Sequence, residues 1–99
     1  MKIGIVGTGA LGGFYGGRLA AAGREVHCLC RTDFATVRDH GLRVFGPDGE
    51  WGARPQVHER PETIGFCDAV FIGLKSTANA ALPALLRLLV RDGTLLVTL

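Results

Sequence analysis

Glycines at positions 7, 9, 12 and 16 stand directly behind an apolar run at the start of the chain, in Lys2-Ile-Gly-Ile-Val-Gly-Thr-Gly-Ala-Leu-Gly-Gly-Phe-Tyr-Gly. This spacing restricts the backbone before any side chain is considered. Gly7 allows a tight turn off a strand, Gly9 lets the backbone approach a pyrophosphate, and Gly12 lets the following helix lie close against a sheet. Gly16, one helical turn further on, falls on the same helix face. An interior glycine costs a helix about 1 kcal/mol relative to alanine, so Gly12, Gly13, Gly16 and Gly17 require an offsetting gain in close packing or phosphate access. A helix starting here points unpaired N–H groups and the positive end of its dipole at a bound anion. Gly7, Thr8, Gly9, Ala10, Leu11 and Gly12 are therefore the candidate phosphate-binding residues.

A chain with 15 glycines produces such spacings by chance, so the flanking pattern carries the argument. Residues 2–6 read as a buried strand. Ala10 to Ala22 reads as a helix stopped by Gly23. Residues 25–30 alternate as a second strand, which makes a parallel βαβ unit. A short helix over 33–40 follows, with Thr32 or Asp33 as cap and Gly41 as stop. Residues 42–45, a turn at Gly46-Pro-Asp-Gly49 and residues 50–57 read as an inserted β-hairpin. Trp51 in it covers apolar surface or meets a neighbouring domain. Pro61 to Gly65 forms one helical turn and residues 68–74 a central parallel strand. A helix over about 76–90 is interrupted at Pro83, with its main part starting near Leu82 or Pro83. Residues 94–99 form a last buried strand. The expected fold is α/β, a Rossmann-type doubly wound parallel sheet with an inserted β-hairpin, spanning residues 1–99 as one domain.

A formal net charge of +2 with dispersed arginines gives no basic stripe for nucleic acid. No stretch reaches the roughly 18 apolar residues of a membrane span, and a cytoplasmic location is expected. Cys28, Cys30 and Cys67 make an odd count and read as reduced core thiols. A metal site from His27, Cys28, Cys30 and Cys67 lacks the usual ligand spacing, so no metal is expected.

In doubly wound sheets ligands bind beyond the carboxyl ends of the strands. The second strand ends in Arg31, nineteen positions after Gly12, near where an NAD-binding domain places a carboxylate on the adenosine ribose. A guanidinium there can clasp a 2′-phosphate in a bidentate contact. Arg31, with the Thr32 hydroxyl, reads as an NADP selector; a solvated arginine at a strand end is the alternative. Asp33 is explained more simply as a helix cap than as the ribose carboxylate. Lys75 emerges at the same sheet edge, where an ammonium meets ribose, phosphate or a bound acid, or is simply solvated. His27 packs on a strand, and His40 and His58 lie at a helix end and in a loop with no partner evident. None is a credible general acid, so no catalytic residue is assigned.

Over residues 1–99 the chain resembles the N-terminal domain of the ketopantoate reductase (2-dehydropantoate 2-reductase) family. The resemblance rests on Lys2-Ile-Gly-Ile-Val-Gly-Thr-Gly-Ala-Leu-Gly, on Gly23-Arg-Glu-Val ahead of a strand ending in Cys30-Arg31, and on Phe71-Ile-Gly-Leu-Lys-Ser. It implies that Arg31 and Lys75 contact NADP, and that the substrate is a 2-keto acid reduced to pantoate for pantothenate and coenzyme A synthesis. It also implies a Gln-Asn-Gly segment and a helical C-terminal domain with the catalytic lysine. Neither is found in these 99 residues, and Lys75 is not that lysine. The fragment is accordingly expected to bind cofactor without turnover. A stand-alone NAD(P)-binding sensor, the first domain of another 2-hydroxy acid dehydrogenase and a non-binding structural fragment are the alternatives. Self-association through apolar surface near Trp51 or the last strand is an open expectation.

Overall fold

The computed structural model describes residues 1–7, 10–30, 34–46, 49–73 and 82–98, with the backbone alone for 10–13, 44–46 and 50–51. Strand β1 (Lys2–Val6) leads to helix α1 (Ala10–Ala21) and strand β2 (Glu25–Leu29). Helix α2 (Phe34–His40) precedes the antiparallel pair β3 (Leu42–Gly46) and β4 (Gly49–Ala53). Strand β5 (Gln56–His58) and a 3₁₀ turn (Pro61–Thr63) follow, then β6 (Ala69–Ile72), α3 (Leu82–Leu89) and β7 (Leu95–Thr98).

The main sheet has the order β5-β2-β1-β6-β7, and each neighbouring pair in it is parallel. Strand β1 lies at the centre, with Ile3 opposite Val26 on one side and Ala69 on the other. Successive strand residues point to opposite faces, and the core divides accordingly. Ile3, Ile5, Val26, Cys28, Cys30, Val37 and Leu42 form one cluster, against which Leu19, Ala20 and Phe34 pack. Val6, Leu29, Val70, Ile72, Ile64, Cys67, Leu85 and Leu89 form the other, joined by Leu82, Leu86 and Val90. Helices α1 and α2 thus cover one face and α3 the other, which is the doubly wound arrangement expected from sequence. Leu85 and Leu89, one turn apart on α3, are both buried, each burial contributing about 1.5–3 kcal/mol.

Chain reversals follow local chemistry. Helix α1 closes as the amides of Gly23 and Arg24 donate to the carbonyls of Ala20 and Leu19, both at 3.0 Å. Helix α3 starts at Leu82 with Pro83 as its second residue, where a missing N–H costs nothing. The expected short turn ahead of it, and the proposed caps Thr32 and Asp33, lie outside the described residues. The side chain of Trp51 does too.

One expectation requires correction. Residues 50–57 do not form a single hairpin strand: β4 ends at Ala53, and residues 56–58 join the main sheet beside β2 as a fifth parallel strand. Pro55 between them lacks the amide needed to continue a ladder. Beyond it, Val57 packs against the α1-side core, and the carbonyl of His58 accepts the Cys30 amide at 2.8 Å.

Among the described residues no helix is long and apolar enough to cross a membrane.

Gly16 sets the spacing of α1 from the sheet. A Cβ built on it would stand 3.2 Å from Cγ1 of Ile5 and 3.7 Å from Sγ of Cys28, and Ile5 is fully buried. Gly16→Val is expected to lower stability by about 1–3 kcal/mol through overpacking, read from the midpoint of urea unfolding. An unchanged midpoint would show that the helix lies further out.

Candidate functional site

The carboxyl ends of the parallel strands gather the groups relevant to binding. Strand β1 runs into Gly7, whose φ of +88° is disfavoured for any residue with a side chain. Helix α1 begins three residues later at Ala10, so the strand, the turn and the helix N-terminus follow in the order an anion-binding turn requires. Ala10, Leu11 and Gly12 are described by backbone alone, as the first turn of α1. Thr8, Gly9, Arg31, Thr32 and Lys75 lie outside the described residues.

A cavity of ≈ 230 Å³ opens at the same edge, on the α3 side. Its apolar wall is Leu29, the last residue of β2, with Pro61, Leu85 and Leu88; Ala84, Glu59 and Glu62 complete the lining. A largely apolar slot bordered by two acidic residues suits a flat base carrying an exocyclic amine better than it suits a phosphate. Sequence reading missed this cavity because its walls come from three separate segments, and no local pattern joins Leu29 to Leu88.

Beside the cavity lies a hydrogen-bonded chain of titratable groups that the sequence also concealed. Contrary to expectation, His58 is in a strand and has partners. Its Nε2 is 2.9 Å from Nδ1 of His27, and its Nδ1 is 2.7 Å from Oγ1 of Thr63. His27 in turn places Nε2 2.7 Å from a carboxylate oxygen of Glu25. The Thr63 hydroxyl is 2.9 Å from the Arg60 carbonyl. Glu25, His27 and Leu29 alternate on β2, so all three face the α3 side of the sheet. The hydrogen bond from His27 holds the Glu25 carboxyl below its ordinary range, helped by the charges of Lys2 and the amino terminus. Burial pushes the His58 imidazole down, and the charges of His27 and Lys2 push it further in the same direction.

Lys2 ties the 61–68 segment across this face. Its backbone amide donates to Asp68 at 2.7 Å, and its ammonium donates to the Ile64 carbonyl. The Cys67 thiol is pushed up by burial, so its thiolate is disfavoured. Among the described residues no group of three or more His, Cys, Asp or Glu is placed to hold a metal.

A central parallel strand running into a glycine turn and a helix, in a sheet covered on both faces, defines a Rossmann-like α/β domain. The Ketopantoate reductase PanE/ApbA family model matches residues 3–99, and the chain belongs to that family. It is 43% identical over 99 residues to 2-dehydropantoate 2-reductase of Nostoc sp., covering 97% of this chain and 31% of the relative. With 2-dehydropantoate 2-reductase of Mesorhizobium japonicum the identity is 36% over 104 residues, covering 100% and 31%. The crystal structure of 2-dehydropantoate 2-reductase from Geobacter metallireducens superposes with a TM-score of 0.93 at 41% identity, over 100% of this chain and 33% of that one. The chain thus spans about a third of the length of these relatives.

Gly7→Ala is expected to destabilise the chain by about 1–2 kcal/mol, the cost of forcing a side chain into the left-handed region. Urea unfolding measures this, and a loss below the error of the fit would show that the turn relaxes to negative φ.

Proposed function

We propose that this chain is the cofactor-binding part of an NADPH-dependent 2-dehydropantoate 2-reductase. The observation that carries the reading is the positive-φ turn at Gly7, leading from the central parallel strand to a helix N-terminus, in a chain of this family. Gly7, Thr8, Gly9 and the first turn of α1, Ala10 to Gly12, hold the pyrophosphate by backbone amides. The apolar cavity at Leu29, with Glu59 and Glu62 at its rim, takes the adenine and turns the phosphates toward the glycine turn by charge. Arg31 and Thr32, which follow β2, hold the 2′-phosphate, and Lys75, which follows β6, contacts ribose or phosphate. When bound, the nicotinamide supplies the hydride that reduces ketopantoate to pantoate. These 99 residues position it and exclude water from one side, and a group outside them protonates the ketone oxygen.

Calorimetric titration of the chain tests this. NADPH is expected to bind at least about tenfold more tightly than NADH, the difference between a charge-assisted bidentate contact and none. Arg31→Asp is expected to reverse the preference by removing that contact and repelling the phosphate. A preference for NADH in the unaltered chain, or an Arg31→Asp variant with both affinities intact, overturns the NADP assignment. Ketopantoate reduction by the isolated chain would overturn the division of labour.

A further inference from the structure

The Glu25–His27–His58–Thr63 chain admits two proton arrangements that keep its three links, and the second of them also keeps the hydrogen bond from Thr63 to the Arg60 carbonyl. Since His27 holds the Glu25 carboxyl low, Glu25 is ionised and can only accept, so Nε2 of His27 donates to it. In the first arrangement both imidazoles are neutral. The Thr63 hydroxyl donates to Nδ1 of His58, and Nε2–H of His58 donates to Nδ1 of His27. In the second, one proton has been added. Nδ1–H of His58 now donates to the Thr63 hydroxyl, which turns to donate to the Arg60 carbonyl, the direction its 2.9 Å contact provides for. A single hydrogen still lies between the two imidazoles, so the 2.9 Å contact survives. A second added proton has no such place. Both rings then carry N–H on the facing nitrogens, and two cations stand with ring centroids 5.1 Å apart.

We propose that this chain is a positioning clamp on the cavity at Leu29 that accepts one proton without rearranging and releases on the second, so that occupancy of the cavity by a dinucleotide's adenine end falls in acid. The inference rests on reading that cavity as the adenine end. His58 closes the loop that leads to Thr63, and Glu59, Pro61 and Glu62 within the loop are cavity walls. His58 also sits on a three-residue edge strand, the least supported member of the sheet, so loss of its contact to His27 frees both strand and wall.

The surrounding charges oppose the second proton. Lys2 and the amino terminus act from β1, and Glu25 on β2 is already committed to His27. Of the acids nearby, Asp68 is bound by the Lys2 amide and Glu62 faces Arg60 at 3.7 Å, while Glu59 is on the cavity side. Cys67 stays a thiol. Glu25, the anion bonded to His27, is thus already engaged when the second proton arrives.

Imidazole ¹⁵N spectra of the chain between about pH 8 and pH 5 count the protons, and exchange of the Cys30 amide, which donates to the His58 carbonyl, reports whether β5 stays attached. One added proton should leave that amide protected and the second should release it. NADPH affinity should fall at least about tenfold between about pH 7.5 and pH 5 in the unaltered chain. In His58→Asn, whose amide replaces Nδ1 toward Thr63 but cannot reach His27 and does not titrate, affinity should already be lowered at pH 7.5 and fall less than about twofold further. NADH serves as a control without a 2′-phosphate, which itself titrates near pH 6, and should show the same contrast. Two doubly protonated imidazoles with the Cys30 amide still protected overturn the clamp, as do equal losses of affinity in both proteins. If neither nucleotide binds at pH 7.5 the cofactor reading fails instead, and the imidazole and amide measurements alone decide the clamp.

Discussion

Strand β1 is hydrogen-bonded along both edges by parallel partners, β2 and β6, and the placement of the other elements derives from that double pairing. A strand paired on both sides and covered on both faces must be apolar almost throughout. Residues 3–6 of the chain are buried accordingly. Because both partners run parallel to β1, each connection must cross over the sheet, and a right-handed crossover on either side of a central strand brings helices to opposite faces. The two separate core clusters are the direct result.

The same constraint locates the site. All carboxyl ends lie at one edge, so Gly7, the end of β2 and the end of β5 converge there although they come from sequence positions up to 51 residues apart (Gly7 to His58). The close fit of Gly16 to Ile5 holds α1 near the sheet, which fixes where its N-terminus can present amides. The polar chain on the α3 side occupies positions where an apolar core would otherwise continue. It is fully partnered, as buried polar groups must be: among the described residues no buried side-chain nitrogen or oxygen lacks a partner.

Much of this was legible in the sequence, for identifiable reasons. Apolar runs at residues 2–6 and 69–72 and a glycine stop at Gly23 are local signals, and each produced the element expected of it. Strand β5 was misread because three residues are too few to show a period, and the preceding β4 offered a hairpin as the obvious partner. Its pairing with β2 extends to Cys30, whose amide reaches the His58 carbonyl, a contact across 28 positions that no local window contains. The partners of His27 and His58 were hidden by the same error, since a histidine assigned to a loop has no face. The cavity was hidden because Leu29 and Leu85 lie in apolar runs and belong to the core as well.

Strand β1 is synthesised well before one of its two partners: Ile3 pairs with Ala69, and the Lys2 amide reaches Asp68 across 66 positions. Until β6 and α3 have been added, the β1 edge that pairs with β6 and the sheet face that α3 covers are both open. Such pairings close slowly, because the entropy of the loop is lost before any contact compensates for it. The antiparallel β3–β4 hairpin can form locally in the meantime. The nascent chain is therefore exposed to mispairing at β1 from the beginning of its synthesis until β6 has left the exit tunnel, and that interval is when chaperones have most to protect.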